Sequence, residues 1–85
     1  MARQRSMEAV LASEFVTIGE LVRLTGARYS TLKFYTEEGL LPFEQAEERL
    51  TRRYPRTASV ARIEAIRAWR AAGKTIPEIH SLLGM

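Results

Sequence analysis

Two clusters of basic, hydroxyl and aromatic residues carry the side chains best suited to molecular recognition in this sequence. The first cluster consists of Arg28, Tyr29, Ser30, Thr31 and Lys33. The second, RLTRRYPR at positions 49–56, holds four arginines and a tyrosine. Side chains of these types donate hydrogen bonds to phosphate oxygens and to the edges of bases. Both clusters therefore indicate a nucleic-acid partner.

Groups that could support catalysis are scarce. The chain has no cysteine and one histidine, His80, and its ten acidic residues are scattered glutamates. No glycine-rich phosphate loop, metal-ligand spacing or paired nucleophile and base is present in the sequence. We therefore expect neither an enzyme nor a protein that carries a metal or another cofactor.

Length and charge agree with this interpretation. A chain of 85 residues has room for one small domain. Its net charge of +3 and sequence pI near 9.8 suit a polyanionic partner. No apolar run approaches the roughly 18 residues of a membrane helix, and the first residues do not resemble a signal peptide. A soluble intracellular protein without a membrane partner is expected.

The first cluster lies in a segment with strong helix signals. Thr17 followed three residues later by Glu20 is a capping box, which predicts the start of a first helix. Gly26 is placed to end that helix in a left-handed conformation. A second helix is predicted over about 29–38, where Leu32 and one face of Tyr35 would be buried. This order predicts a helix-turn-helix whose second helix presents the first cluster.

The second cluster is predicted to lie on a projecting hairpin, the wing, over residues 41–54. Strands near 41–44 and 50–54 would flank a polar tip. Alternation along the second strand sends Arg53 to one face and both Arg52 and Tyr54 to the other. Arg53 and one neighbour are therefore the expected phosphate contacts, with Tyr54 as a further donor. A hairpin that is merely solvated remains the alternative.

The remaining elements are helical. Apolar residues at spacing three predict a third helix after Pro55, and a second capping box, Thr75 with Glu78, predicts a fourth. Residues 1–14 are interpreted as an arm without fixed structure or a short helix, and residues 15–85 as the domain. The predicted fold is mainly α, with about four helices and a two-stranded antiparallel hairpin: a winged helix-turn-helix.

Three segments together resemble the N-terminal DNA-binding domain of the MerR family of bacterial transcription regulators. They are TIGELVRLTG, STLKFYTEEGLLP and IRAWRAAGKTIPEIHSLL, and the resemblance covers about residues 15–83. It implies that the second helix enters the major groove of double-stranded DNA while the wing reaches the flanking backbone. In the family pattern, Lys33 and Tyr35 match phosphate contacts, Arg53 matches the wing arginine, and Thr17 lies at the start of the first helix.

The chain also departs from the family pattern. Ser30 replaces a usual arginine and Arg28 replaces a usual capping serine or threonine, so base preference cannot be copied from the family; Ser30 and Thr31 remain the groove-facing start. Full-length members continue into a dimerising helix and an effector-binding region. The resemblance is therefore to short, effector-free members, or to part of a longer regulator. Self-association on DNA, as a dimer or a head-to-tail array, is an open expectation.

The sequence thus predicts a sequence-specific DNA-binding transcription regulator of the bacterial cytoplasm, associated with the nucleoid. A recombination directionality factor, excisionase-like, or another architectural DNA-bending factor of a mobile element is the first alternative. The second is a protein-interaction module that docks through the apolar face of residues 76–83.

Overall fold

Within residues 4–84, which the computed structural model describes, the chain forms five helices and one pair of short strands. In chain order these are α1 (Met7–Ala12), β1 (Phe15–Val16), α2 (Ile18–Thr25), α3 (Tyr29–Glu37), β2 (Tyr54–Pro55), α4 (Arg56–Ala71) and α5 (Ile76–Leu82). The outermost residues of the two predicted regions, 1–3 and 85, lie outside this description. None of the helices between residues 4 and 84 combines the length and the apolar character that a membrane span requires.

The helix-turn-helix consists of α2 and α3. Thr17 caps α2 by the predicted capping box, in which its hydroxyl accepts from the Glu20 amide and the Glu20 carboxylate accepts from the Thr17 amide. Gly26 ends α2 at φ 72°, a left-handed conformation that an L side chain rarely adopts. Three residues, from Gly26 to Arg28, join α2 to α3. The predicted limits of both helices are confirmed to within one residue.

The strand pairing differs from the expected hairpin. β1 pairs antiparallel with β2, with Phe15 opposite Pro55 and Val16 opposite Tyr54. The predicted strand at 41–44 does not form, because Pro42 has no amide hydrogen to donate and the Leu41 side chain turns into the core. The wing still folds back on itself, and its two sides meet at one bridge between Glu44 and Arg53.

The short helix α1 begins at a cap that the sequence pattern did not reveal. The Ser6 hydroxyl accepts a hydrogen bond from the Ala9 amide at 3.1 Å. Val10, in the middle of α1, is fully buried and belongs to the main core. This helix therefore packs on the helix-turn-helix, and it corresponds to the short helix that was one of the two interpretations of residues 1–14.

A single core joins these elements, since α2 packs against both α3 and α4, and β2 also contacts α4. Leu21, Leu32 and Ile63 are among its fully buried side chains. Trp69 is half-buried against this core. The observed fold is the predicted winged helix-turn-helix, and the core fixes α3 relative to the base of the wing.

Candidate nucleic-acid interface

The two faces of α3 have opposite character. Leu32, Tyr35 and Thr36 are buried, at the spacing of one helical face. Ser30 and Lys33 lie on the other face and are exposed, and Arg28 is exposed at the N-cap position. Tyr29 is also exposed, at 54%, while Thr31 is half-buried. The first turn of α3 therefore presents most of the first cluster to solvent.

The N-terminus of α3 is not capped by its own N-cap side chain. Arg28 occupies that position without a side-chain hydrogen bond to the helix, whereas Thr17 and Thr75 cap α2 and α5. The first amide groups of a helix have no partner within the helix, and they attract anions. This end of α3 is thus suited to an oxyanion such as a DNA phosphate.

A groove of about 440 Å³ brings Thr17 and Tyr29 together. Its lining also includes Gln4 from the N-terminal segment and Arg23 from α2. The Thr17 hydroxyl accepts from the Glu20 amide, so its own proton remains available to a further acceptor. The groove thus combines hydroxyl and basic donors at the meeting point of α2 and α3.

A second groove, of about 250 Å³, separates α3 from the wing. Tyr29 and Lys33 line it from α3, and Leu50, Thr51 and Arg52 line it from the wing. Because Tyr29 lines both grooves, the surface that contains Thr17, Lys33 and Arg52 is continuous. Four predicted contacts from three parts of the chain are brought together in this way.

The wing arginines point to opposite sides, as the predicted alternation requires. The Arg52 guanidinium lies over the Phe43 ring at 4.6 Å and contacts the Glu37 carboxylate of α3 at 3.3 Å. The Arg53 guanidinium lies over the Phe15 ring at 5.1 Å. Arg53 is exposed and Arg52 is half-buried. Both cations are held by aromatic faces and remain accessible to solvent.

Two of the three tyrosines of the predicted site, Tyr35 and Tyr54, are largely buried. Tyr54 is 1% exposed, and its hydroxyl lies 3.0 Å from Thr36 Oγ1. The placement of Tyr54 as a phosphate donor is therefore corrected: its hydroxyl is used inside the core. Tyr35 is 6% exposed, so only a small part of this side chain can reach a partner.

An ion pair that the sequence did not predict lies beside the Thr17 groove. The Arg5 guanidinium donates two hydrogen bonds to the Glu20 carboxylate, at 2.8 and 2.7 Å. The Arg5 hydrogen bond, more than the bond from the Thr17 amide, holds the pKa of Glu20 down to about 2. From the sequence Glu20 is recognisable only as a capping residue, because its 15-residue separation from Arg5 leaves no local signal of the pair.

Comparisons with known proteins show which protein family this chain resembles. A family model described as "MerR HTH family regulatory protein" matches residues 16–85. The chain is 38% identical over 68 residues to a Chromobacterium violaceum protein named "HTH-type transcriptional activator SoxR homolog". The match covers 80% of this chain and 45% of that relative, so the chain spans less than half of the relative's length. No solved structure gives a significant match.

Proposed function

We propose, because this chain belongs to the MerR helix-turn-helix family of regulatory proteins, that it regulates transcription by binding a specific sequence in double-stranded DNA. In this proposal α3 enters the major groove and the wing lies on the flanking backbone. The similarity to a protein named as a transcriptional activator supports regulation. The physical support comes from the exposed face of α3 and the grooves on either side of Tyr29.

The observation that carries the proposal is the arrangement of α3. Its buried face fixes the helix on the core, while Arg28, Ser30 and Lys33 extend from the opposite side. A helix-turn-helix reads base edges with the first residues of its second helix. Arg28 and Ser30 are therefore assigned to base reading, with Thr31 beside them at the groove-facing start.

The surrounding donors are assigned to the phosphates. Lys33, Tyr29 and Thr17 lie along the two grooves next to α3, and Arg52 and Arg53 extend from the wing. Such contacts fix the register of a protein on DNA without reading its sequence. Tyr35 is retained as a family-matched contact through the small exposed part of its side chain, and Tyr54 is assigned to the core.

The orientation of neighbouring half-sites in the DNA would show how copies of the protein assemble on it. A symmetric dimer would require two inverted half-sites, whereas side-by-side copies would require direct repeats. Footprinting at base resolution on selected DNA distinguishes these arrangements by the orientation of the protected half-sites. The same footprint also reports whether one copy binds alone.

The test of the function is selection of bound duplexes from a random library, followed by titration at several salt concentrations. A single enriched sequence is expected. With four to six phosphate contacts, log affinity should fall against log salt with a slope of roughly −4 to −5 per copy. Recovery of no preferred sequence, or a slope near zero, would contradict the proposal.

A further inference from the structure

Arg5 lies before the family-matched region and fastens the N-terminal segment to α2. Its Nε and Nη2 atoms donate to the two carboxylate oxygens of Glu20, at 2.8 and 2.7 Å. Its Nη1 atom donates to Ser13 Oγ at 2.7 Å. Arg23 of α2 donates in turn to the Arg5 carbonyl oxygen at 2.7 Å. Both the side chain and the main chain of Arg5 are therefore tied into the fold.

Glu20 extends this attachment to Thr17. The Glu20 Oε1 atom that accepts from Arg5 also accepts from the Thr17 amide, at 2.9 Å. The Glu20 amide donates to the Thr17 hydroxyl at 3.2 Å. Arg5, Glu20 and Thr17 therefore form one hydrogen-bonded chain, and Thr17 and Tyr29 both line the groove beside it.

Glu20 needs its cation in order to stay in this position. The Glu20 residue is only 8% exposed, and a carboxylate held away from water without a cation is strongly disfavoured. If Arg5 were removed, the free energy would fall when the carboxylate turned outward to water. That movement would release the Thr17 amide and loosen the first turn of α2.

We propose that Arg5 is a positioning residue for DNA binding: by holding Glu20, it fixes Thr17 and the start of α2 beside the first turn of α3. The inference rests on the proposed function, because it assigns a role within the same interface. Arg5 acts through Glu20 rather than by touching a phosphate, since both carboxylate oxygens and Ser13 engage its guanidinium. A residue outside the family-matched region thereby positions the DNA-binding surface inside it.

The test measures the affinity of the full chain for a fluorescein-labelled duplex, selected from random sequence with the unmodified chain, across a salt series. Arg5→Ala and Glu20→Gln should each weaken binding about three- to tenfold, which lies in the lower part of the range of coupling energies within one hydrogen-bond network. The slope of log affinity against log salt should stay unchanged, since no phosphate contact is lost. Arg5→Lys should recover only part of the loss, because an ammonium lacks the planar fork.

Glu20→Gln gives the sharpest readout, because charge alone predicts the opposite sign. Removing an acidic group near DNA should tighten binding, whereas loss of positioning should weaken it. Gln can still accept from the Thr17 amide, so this variant should fold even if Arg5→Ala does not, but a neutral amide no longer pairs with the Arg5 guanidinium and Thr17 is held less firmly. Arg70→Ala, which removes an exposed guanidinium of α4, is the matched control and should change affinity less than about twofold.

Two results would overturn the inference. The first is an Arg5→Ala affinity within about twofold of the unmodified chain, with circular dichroism showing a folded variant. The second is tighter binding by Glu20→Gln together with a salt slope whose magnitude is smaller by about 0.9 for Arg5→Ala. That combination would make Arg5 a direct phosphate contact. If the unmodified chain bound no duplex, the proposed function itself would fail.

Discussion

The Tyr54 hydroxyl donates a hydrogen bond to Thr36 Oγ1, across 3.0 Å, in the core between the wing and α3. The direction follows from the other bond of Thr36, whose single hydroxyl proton is donated to the Leu32 carbonyl oxygen at 2.9 Å. Both residues are buried. This bond ties β2, at the base of the wing, to the C-terminal half of α3, so the wing and α3 keep a fixed relation.

The first prediction concerns this bond. Tyr54→Phe should lower the free energy of unfolding by about 1 kcal/mol, since a buried acceptor loses its donor. Urea unfolding at neutral pH measures the change. The salt slope of DNA binding should remain that of the unmodified chain, because Tyr54 makes no phosphate contact. A stability that is unaffected together with a smaller slope would return Tyr54 to the interface.

Tyr29→Phe is the matched variant for that experiment. Tyr29 is 54% exposed, so removal of its hydroxyl should leave the free energy of unfolding within about 0.5 kcal/mol of the original. DNA affinity should fall instead, because the hydroxyl is assigned to a phosphate. The two tyrosine variants thus separate a core role from a binding role.

The second prediction concerns Lys33 and Arg53. Alanine at either position should weaken binding to the selected duplex and to random duplex by similar factors, because phosphate contacts carry no sequence information. Each substitution should reduce the magnitude of the salt slope by about 0.9. Parallel titrations on the two duplexes check both effects, and a loss confined to the selected duplex would reassign the residue to base reading.

The third prediction concerns Arg28 and Ser30. Alanine at either position should change which sequence is selected from a random library, since these side chains are assigned to base edges. The free energy of binding to the original duplex should become less favourable by about 1 to 3 kcal/mol where a bidentate base contact is lost. Repeating the selection with each variant measures the preference. Retention of the original preference by both variants would remove this assignment.

The fourth prediction concerns acid stability. The pKa of Glu20 is lowered to about 2 from its ordinary value of 4.5, chiefly by the Arg5 hydrogen bond. The unfolded chain binds this proton more readily, so the stabilisation is complete above pH 4.5 and is lost as the pH falls towards 2. We expect a contribution of about 1 to 2 kcal/mol, because the half-exposed Arg5 side chain is partly screened.

Unfolding curves between neutral pH and the acid limb measure this contribution. Glu20→Gln should be less stable than the unmodified chain at pH 7 and should lose less stability on acidification. An equal decline of the two proteins with falling pH would show that Glu20 does not contribute to the acid sensitivity.

Local signals account for the parts of the fold that the sequence predicted. The Thr17 and Thr75 capping boxes act over three residues, and both are present in the structure. Gly26 has the left-handed conformation expected of it. These features depend on adjacent residues alone, so they can be recognised without knowledge of the fold.

Long-range contacts account for the parts that were not predicted. Val16 and Tyr54 pair although the whole helix-turn-helix and the wing lie between them in the sequence. A strand of two residues is also too short to show an alternation of apolar and polar side chains. Of the second strand predicted near residues 50–54, only Tyr54 lies in β2, and the local pattern could not give the partner of that strand. The Arg5 and Glu20 pair was missed for the same reason, since ion pairs between distant segments have no periodicity.

The same distinction between local signals and long-range contacts applies to the residues of the candidate site. Local spacing correctly separated the buried Leu32 and Tyr35 from the exposed Lys33 on α3. Strand alternation also sent Arg52 and Arg53 to opposite sides. It could not show that Tyr54 is buried against Thr36, because that depends on how the base of the wing meets α3.

The most direct test of the central claim, that α3 enters the major groove, is substitution of 7-deazapurines for the purines of the selected duplex. This change removes the N7 acceptor, which faces the major groove, and leaves the minor groove as it was. We predict that affinity falls about tenfold at a few adjacent positions, and that Arg28→Ala removes the effect at one of them. Unchanged affinity at every substituted purine would contradict the account.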